Sequence, residues 1–422
     1  MASTNGSTRD TRLWHPFADM GSARFSELVI DRGQDVWVWD ATGRRYLDAT
    51  ASLWYANVGH GRPEIAEAIA QQVTRLEAYS AFGDLSNEPA RMLADQLAAL
   101  APMPDARVFL GSGGGDGIDT AAKLARRYWH ESGHPERDRL IVRANAYHGT
   151  HGYGTSLAGI SANRVSWGPL LPEVSVIEWD SLDALRDEID RVGVDRVAAI
   201  FLEPVIGAGG VYPPPRGYIE GVAALCRETG MLLVCDAVIC GFGRLGTWFG
   251  IERWGIEPDL IVFAKGVSSG YLPLGGVVAS GRVADPFWKA PGGPVFRHGT
   301  TWAAHPVCCA AALANLRVLR RDQLLERGRD LENALFAAMS RLADHDLVVE
   351  VRGGCGLLAA AELRPEASPV ALTMAARKHG VLLRALGSAV AVSPPLTVTT
   401  DHFELITDAV FAALDELALT TA

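Results

Sequence analysis

Long apolar runs are missing from this chain. No stretch of about 18 apolar residues interrupts its charged and glycine-rich sequence, which argues against a membrane-spanning helix. The first dozen residues, MASTNGSTRDTR, contain no apolar secretory segment and read as a flexible polar tail, so a cytoplasmic protein is expected. An excess of positive charge is missing too. With 39 Lys+Arg against 49 Asp+Glu the net charge is −10, which removes nucleic acid from the expected partners and favours solubility. Cysteine is sparse: the six, at positions 226, 235, 240, 308, 309 and 355, form neither a disulfide framework nor a metal-ligand spacing. They read as small apolar packing residues. His148, His298 and His305 share no ligand pattern, so no metal is expected.

What the chain does have is bulk and alternation. Its 422 residues, 48% of them hydrophobic, can bury a large core and divide into more than one domain. Strand candidates recur at 107–110, 139–144, 174–179, 197–203, 231–235, 260–264 and 275–279, with helical segments between them. That alternation predicts an α/β fold with a mostly parallel sheet covered by helices. Residues 30–50 read as a β-hairpin around the DATG turn, and 62–79 as a helix opened by Pro63. A long helical pattern over 307–339 is expected to break or turn; strands near 348–351 and 356–361 and a final helix over 401–418 follow. The expected division is a tail at 1–12, a small domain combining 13–60 with 311–422, and a large domain at 61–310.

Two strand ends carry the chemistry. The run LIVFAKGVSSGYLPLGG at 260–276 ends its apolar part on Lys265, and MLLVC at 231–235 leads into Asp236. Parallel strands place such ends side by side at one edge of the sheet, where open α/β folds bind ligands. A solvated loop lysine is the plainer reading of Lys265 alone. An amine beside a carboxylate, however, suits pyridoxal 5′-phosphate, whose aldehyde needs a lysine and whose ring nitrogen needs a negative partner. The segment RVFLGSGGGDGIDTAAKLARRYW at 107–129 offers the phosphate a strand, a glycine turn at Gly113, Gly114 and Gly115, and a helix from near Asp116. Its apolar face is Ile118, Ala121, Ala122, Leu124, Ala125, Tyr128 and Trp129. It is neither a P-loop nor a dinucleotide fingerprint, and an ordinary tight turn remains the alternative.

At this point the chain resembles the class III pyridoxal-phosphate-dependent aminotransferases, the omega-transaminase and amine:pyruvate type. The likeness runs from LWHPF at 13–17 through SLWYANVGHGRPEIAEAI at 52–69, AYHG at 146–149, EPVIGAGG at 203–210, DAVICGFGRLG at 236–246 and AKGVSSGYLPLGG at 264–276. It continues in HGTTWAAHP at 298–306 and LLRALGSAVAVSPPL at 382–396. The resemblance implies an aspartate-aminotransferase-like type I fold and a homodimer with shared active sites, and leaves a tetramer open. It implies that Lys265 holds the cofactor aldehyde, Asp236 faces the ring nitrogen, Tyr147 and Val238 cover the ring faces, and Gly114 and Gly115 receive the phosphate. Thr301 would reach the phosphate of the neighbouring subunit, and Glu203 would sit near the 3-hydroxyl and the substrate end. Arg384 matches an arginine that receives substrate carboxylate, with Trp54 and Tyr55 as pocket walls and Trp302 on the dimer-facing side.

The chain departs from the family pattern in two places. GGGDGI at 113–118 stands where a serine-rich motif is usual, so the loop keeps backbone donors but loses a side-chain hydroxyl; Ala237 follows Asp236 where glutamate is usual. The function implied is a ping-pong transfer of an amino group from an amine or omega-amino acid to pyruvate or a similar oxo acid, with Lys265 as the proton carrier. A pyridoxal-phosphate phospho-lyase acting on an amino-alcohol phosphate is the alternative; an inactive scaffold would have no use for both Lys265 and Asp236.

Overall fold

The computed structural model describes residues 11–289 and 291–421, so all but the last two residues of the expected tail at 1–12 lie outside the described residues. Ile30–Gln34 (β1), Trp37–Asp40 (β2) and Arg45–Asp48 (β3) form an antiparallel meander, one strand more than the hairpin the sequence pattern gives. β1 reads IDRGQ and has no apolar alternation to mark it. It is fixed instead by a backbone exchange in which Asp35 and His60 each donate to the other at 2.8 Å. Gly33 permits this approach, because a Cβ there would lie 2.8 Å from His60 Cβ and Cγ. The next helix, Pro63–Arg75, stops short of residue 79 because Leu76 turns extended, and Gln72 Nε2 donates to the Leu76 carbonyl at 3.0 Å.

Arg107–Gly111 (β4), Arg139–Arg143 (β5), Val174–Ile177 (β6), Val197–Leu202 (β7), Leu232–Asp236 (β8), Leu260–Phe263 (β9) and Gly275–Ala279 (β10) make one seven-stranded sheet. Its order is β4-β10-β9-β8-β7-β5-β6. The five strands from β9 to β6 run parallel, and β10 lies antiparallel between β9 and β4. Every residue of β7, β8, β9 and β10 is buried, which is why these strands read as continuous apolar runs. The helix Gly114–Glu131 packs on β9 and β10 and buries the apolar face its spacing predicts, starting two residues earlier than Asp116. Gly117 lets it sit close, since a Cβ there would meet Val262 Cγ1 at 2.8 Å and the Gly276 carbonyl at 3.0 Å.

Val348–Arg352 (β11), Ala359–Leu363 (β12), Val381–Leu382 (β13), Arg384–Leu386 (β14) and Ala389–Val392 (β15) follow two helices, Pro306–Arg321 and Leu324–Ser340. The expected break between the helices falls at Asp322 and Gln323, the latter left-handed at φ 49°. β11, β12, β15 and β14 form a second sheet in that order, while β13 joins β3 in parallel and completes the N-terminal sheet. The chain closes on the helix Thr400–Thr421.

Arg244 binds these parts together. Its side chain is fully buried, and its guanidinium donates to the carbonyls of Leu357 at 2.8 Å and Pro394 at 2.7 Å and to Asn57 Oδ1 at 3.2 Å. Asn57 Nδ2 returns a bond to the Phe242 carbonyl at 2.9 Å. Burial pulls the Arg244 guanidinium down to about 10, with Asp48 opposing that shift. Removing the fork leaves three buried acceptors without a donor, a loss of about 3 kcal/mol or more. Arg244→Ala should therefore lower the thermal midpoint by several degrees, while Arg186→Ala, which breaks an exposed pair with Asp183, should leave it within about one degree, as read by differential scanning fluorimetry.

Candidate active site

Four neighbouring parallel strands finish on one edge of the large sheet, and each delivers a polar group there. β9 runs through Ala264 into Lys265, β8 ends in Asp236, Glu203 follows β7, and β5 leads to Tyr147 and His148. Sequence separation is irrelevant to this grouping, because strand order alone makes the ends adjacent.

Asp236 is 3% exposed and both its oxygens are engaged. Oδ1 accepts from the Val238 amide at 3.0 Å, and Oδ2 lies 2.8 Å from His148 Nδ1, which places the histidine proton on Nδ1. His148 is itself buried, and its Nε2 has no hydrogen-bond partner among the described residues. No ligand spacing marks this histidine in the amino-acid order; its position in the YHG motif after β5 is the available signal. Glu203 is equally buried, accepting from the Tyr147 amide at 2.9 Å and the Gly207 amide at 3.0 Å. Burial raises its carboxyl above the ordinary value, with His148 pulling the other way. Arg143, fully buried, donates to the Glu203 carbonyl and lies 5.5 Å over the Tyr218 ring, pinning the end of β7.

Lys265 adopts a left-handed backbone at φ 49°, unusual for a residue with a side chain, and opens a short 3₁₀ turn. The following Gly266 is held so closely that a Cβ would lie 2.5 Å from Asn57 Nδ2. Lys265 Nζ lies 5.6 Å from the centroid of the Trp54 ring, and the Arg384 guanidinium lies 5.0 Å from the same centroid. Burial drives the Lys265 amine from 10.5 down to about 8; Asp236 and Glu203 oppose this and Arg384 reinforces it. Arg384 is lowered too, chiefly by burial, and its Nε is buried without a hydrogen-bond partner among the described residues. Of the chain's four lysines, the other three, Lys123, Lys289 and Lys378, are exposed.

The remaining candidates fall into place around this group. Trp54 is 2% exposed and left-handed at φ 58°. Tyr55 lies against Gly270, where a Cβ would come within 2.2 Å of its ring, and receives the Ser52 hydroxyl at 2.6 Å. Gly114 opens the 114–131 helix beside Val238, whose Cγ1 would stand 3.0 Å from a Cβ at that position. Phe17 meets the Tyr147 ring edge-on at 6.5 Å, a contact that the LWHPF motif did not disclose. Thr301 is not brought into the cluster by its own chain: it is exposed on a turn and makes no hydrogen bond among the described residues. Trp302 is exposed beside it.

This donor set fits pyridoxal 5′-phosphate. An amine near 8 suits an aldehyde, an oriented carboxylate suits a ring N–H, and the first turn of a long helix presents unpaired amides to a phosphate. Comparison with known proteins agrees. The model of the family "Aminotransferase class-III" matches residues 18–414. An omega-aminotransferase of Caulobacter vibrioides is 35% identical, covering 96% of this chain and 97% of that protein. A putrescine–pyruvate aminotransferase of Pseudomonas aeruginosa is 34% identical, covering 98% of each. Among solved structures, an (S)-enantioselective omega-transaminase from Thermomicrobium roseum superposes with a TM-score of 0.92 at 38% identity, covering 96% of both chains.

The electrostatics make a prediction for the amine alone. Reductive labelling of the cofactor-free protein with a small aldehyde should modify Lys265 with a midpoint near pH 8 and level off by about pH 9. Asp236 is the largest influence holding that midpoint up, so Asp236→Asn should shift it to lower pH; a shift upward, read by peptide mapping, would contradict the assignment.

Proposed function

This chain belongs to the class III aminotransferase family, and on that footing we propose how its own residues carry an amino group from an amine or omega-amino acid to pyruvate or a similar oxo acid. It is a pyridoxal-phosphate enzyme of the type I fold, and its two half-reactions follow a ping-pong order. The observation that carries the residue assignment is the meeting of Lys265 and Arg384 over Trp54 at the edge of the parallel strands, with the Asp236 carboxylate close enough to act on the Lys265 amine.

Pyridoxal 5′-phosphate, when bound, supplies an aldehyde that takes up the amino group and a ring that accepts electron density from the breaking carbon–hydrogen bond. Lys265 would hold that aldehyde between turnovers. Once freed by the donor, its Nζ, about half of it uncharged near pH 8, would take the proton from the donor carbon and pass it to the carbon that had carried the aldehyde. Asp236, aimed by His148 Nδ1–H and the Val238 amide, presents the negative charge that keeps a facing ring nitrogen protonated. Tyr147 and Val238 would bracket the ring, Glu203 would face its substrate side, and the amides of Gly114 and Gly115 would take the phosphate. Arg384, desolvated over Trp54, receives the carboxylate of the oxo acid, for which its planar fork is suited. Trp54 and Tyr55 wall the donor pocket.

We further read the working unit as a homodimer with shared sites. Thr301 and Trp302 are exposed, as are Tyr79, Phe82, Leu85 and Val295, and a cavity of about 700 Å³ lined by Phe82, Phe109, Val295 and Gly299 opens on that side. The small domain is read as 13–60 with 311–422, supported by the β3–β13 pair and by the Ser393 amide donating to the Ala49 carbonyl at 2.7 Å. A cytoplasmic setting is supported by six cysteines, all free, and no described helix is long and apolar enough to cross a membrane.

Mixing the loaded enzyme with an amine and no oxo acid should release about one equivalent of aldehyde or ketone per site, and pyruvate added next should yield about one equivalent of alanine. Release of inorganic phosphate from an amino-alcohol phosphate without any acceptor would replace this reading with the lyase one. Lys265→Ala should abolish both halves. Arg384→Ala should raise the KM for pyruvate roughly 30-fold while changing the half-reaction with an uncharged amine little.

A further inference from the structure

We propose that His151 is a ligand of the cofactor phosphate in this chain, taking the place of the side-chain hydroxyl that the 113–118 loop lacks. This rests on the assignment of pyridoxal 5′-phosphate to the site.

The loop contributes little beyond backbone. Gly113, Gly114 and Gly115 carry no polar side chain, and Ser112, which precedes them, is turned toward Asp116. The Ser112 amide donates to Asp116 Oδ2 at 2.8 Å and its Oγ lies 3.4 Å from the same oxygen. A phosphate at this helix terminus would therefore meet the first-turn amides and no side chain from its own helix.

A second segment is clamped against that turn. Asp119, one turn along from Gly115, accepts the amides of Tyr153 at 3.0 Å and Gly154 at 3.2 Å, fixing the short helix Gly152–Ser156 on the 114–131 helix. Gly149, left-handed at φ 86°, passes so near that a Cβ there would lie 3.0 Å from Gly115 Cα. Between them stands His151. A Cβ built on Gly115 would lie 3.4 Å from His151 Cγ, Nδ1 and Cε1 alike, so the imidazole lies across the point from which a serine side chain would leave. The ring is exposed and makes no hydrogen bond among the described residues. The two nearby carboxylates are already committed, Asp116 to Ser112 and Asp119 to the 153–154 amides, and both of those bonds order the cradle. The geometry thus combines amide donors on one side with an uncommitted imidazole N–H on the other, a suitable pair for an anion.

The test compares two cofactors that differ only in the phosphate. Cofactor-free wild type, His151→Ala and His151→Gln are titrated with pyridoxal 5′-phosphate and with pyridoxal, following the absorbance of the bound form. His151→Ala should weaken pyridoxal 5′-phosphate about tenfold and leave pyridoxal within about twofold, and His151→Gln, which keeps an N–H donor, should lose about threefold or less. Adding Gly115→Ser to His151→Ala should recover most of the lost affinity. The ³¹P resonance of bound cofactor should move in the alanine variant. Equal weakening of both ligands would make His151 a packing residue and overturn the proposal, as would unchanged affinity for pyridoxal 5′-phosphate. A wild-type protein that binds neither would sink the cofactor assignment itself, an outcome distinguishable from the other two.

Discussion

Lys265 loses most of its hydration on folding, and the surrounding structure is arranged around that loss. A lysine moved from 10.5 to about 8 has its charged form disfavoured by roughly 3 kcal/mol relative to a lysine in water. Burial alone would lower the amine further. Asp236 and Glu203 restrain the shift, and Arg384 counters them from over Trp54. The amine is thus held at about 8, where both protonation states are populated, which suits the proposed proton-carrier role. A backbone at φ 49° and the close seat of Gly266 show that the chain accepts local strain to put it there.

The balance needs parts from distant places. Asp236 and Glu203 come from the parallel strands, Trp54 from a turn after β3, and Arg384 from β14. Arg244 joins those contributions by fixing Asn57, Leu357 and Pro394 to the loop after β8, so the aromatic floor and the arginine are registered against the strand ends. His148 does the corresponding work at shorter range, turning Asp236 so that one oxygen faces β5 and the other the Val238 amide.

Much of this was legible in the amino-acid order, and the reasons are physical. β8 and β9 are buried on both faces, so they appear as unbroken apolar runs whose ends are marked by the first polar residue, Asp236 or Lys265. The apolar spacing of the 114–131 helix was equally plain. β1 was not, because its partner contacts are made by backbone and by Gly33, which leave no hydrophobic signature. His148 stayed hidden since its partner is 88 residues away and is brought near only by the strand order β8-β7-β5. Thr301 is exposed on a turn, and its own chain does not bring it to the cluster.

The parallel pairing of β3 with β13 also bears on how the protein is made. Leu47 waits for Val381 before its edge of the sheet is satisfied, so the N-terminal meander leaves the ribosome long before its partner does. At about 5–20 residues per second that interval is on the order of half a minute. The large sheet, whose strands all lie between Arg107 and Ala279, can assemble within it. The turn bearing Trp54 thus remains on an unfinished edge until synthesis is nearly over, and a nascent chain held at that stage would expose apolar surface for a chaperone to cover.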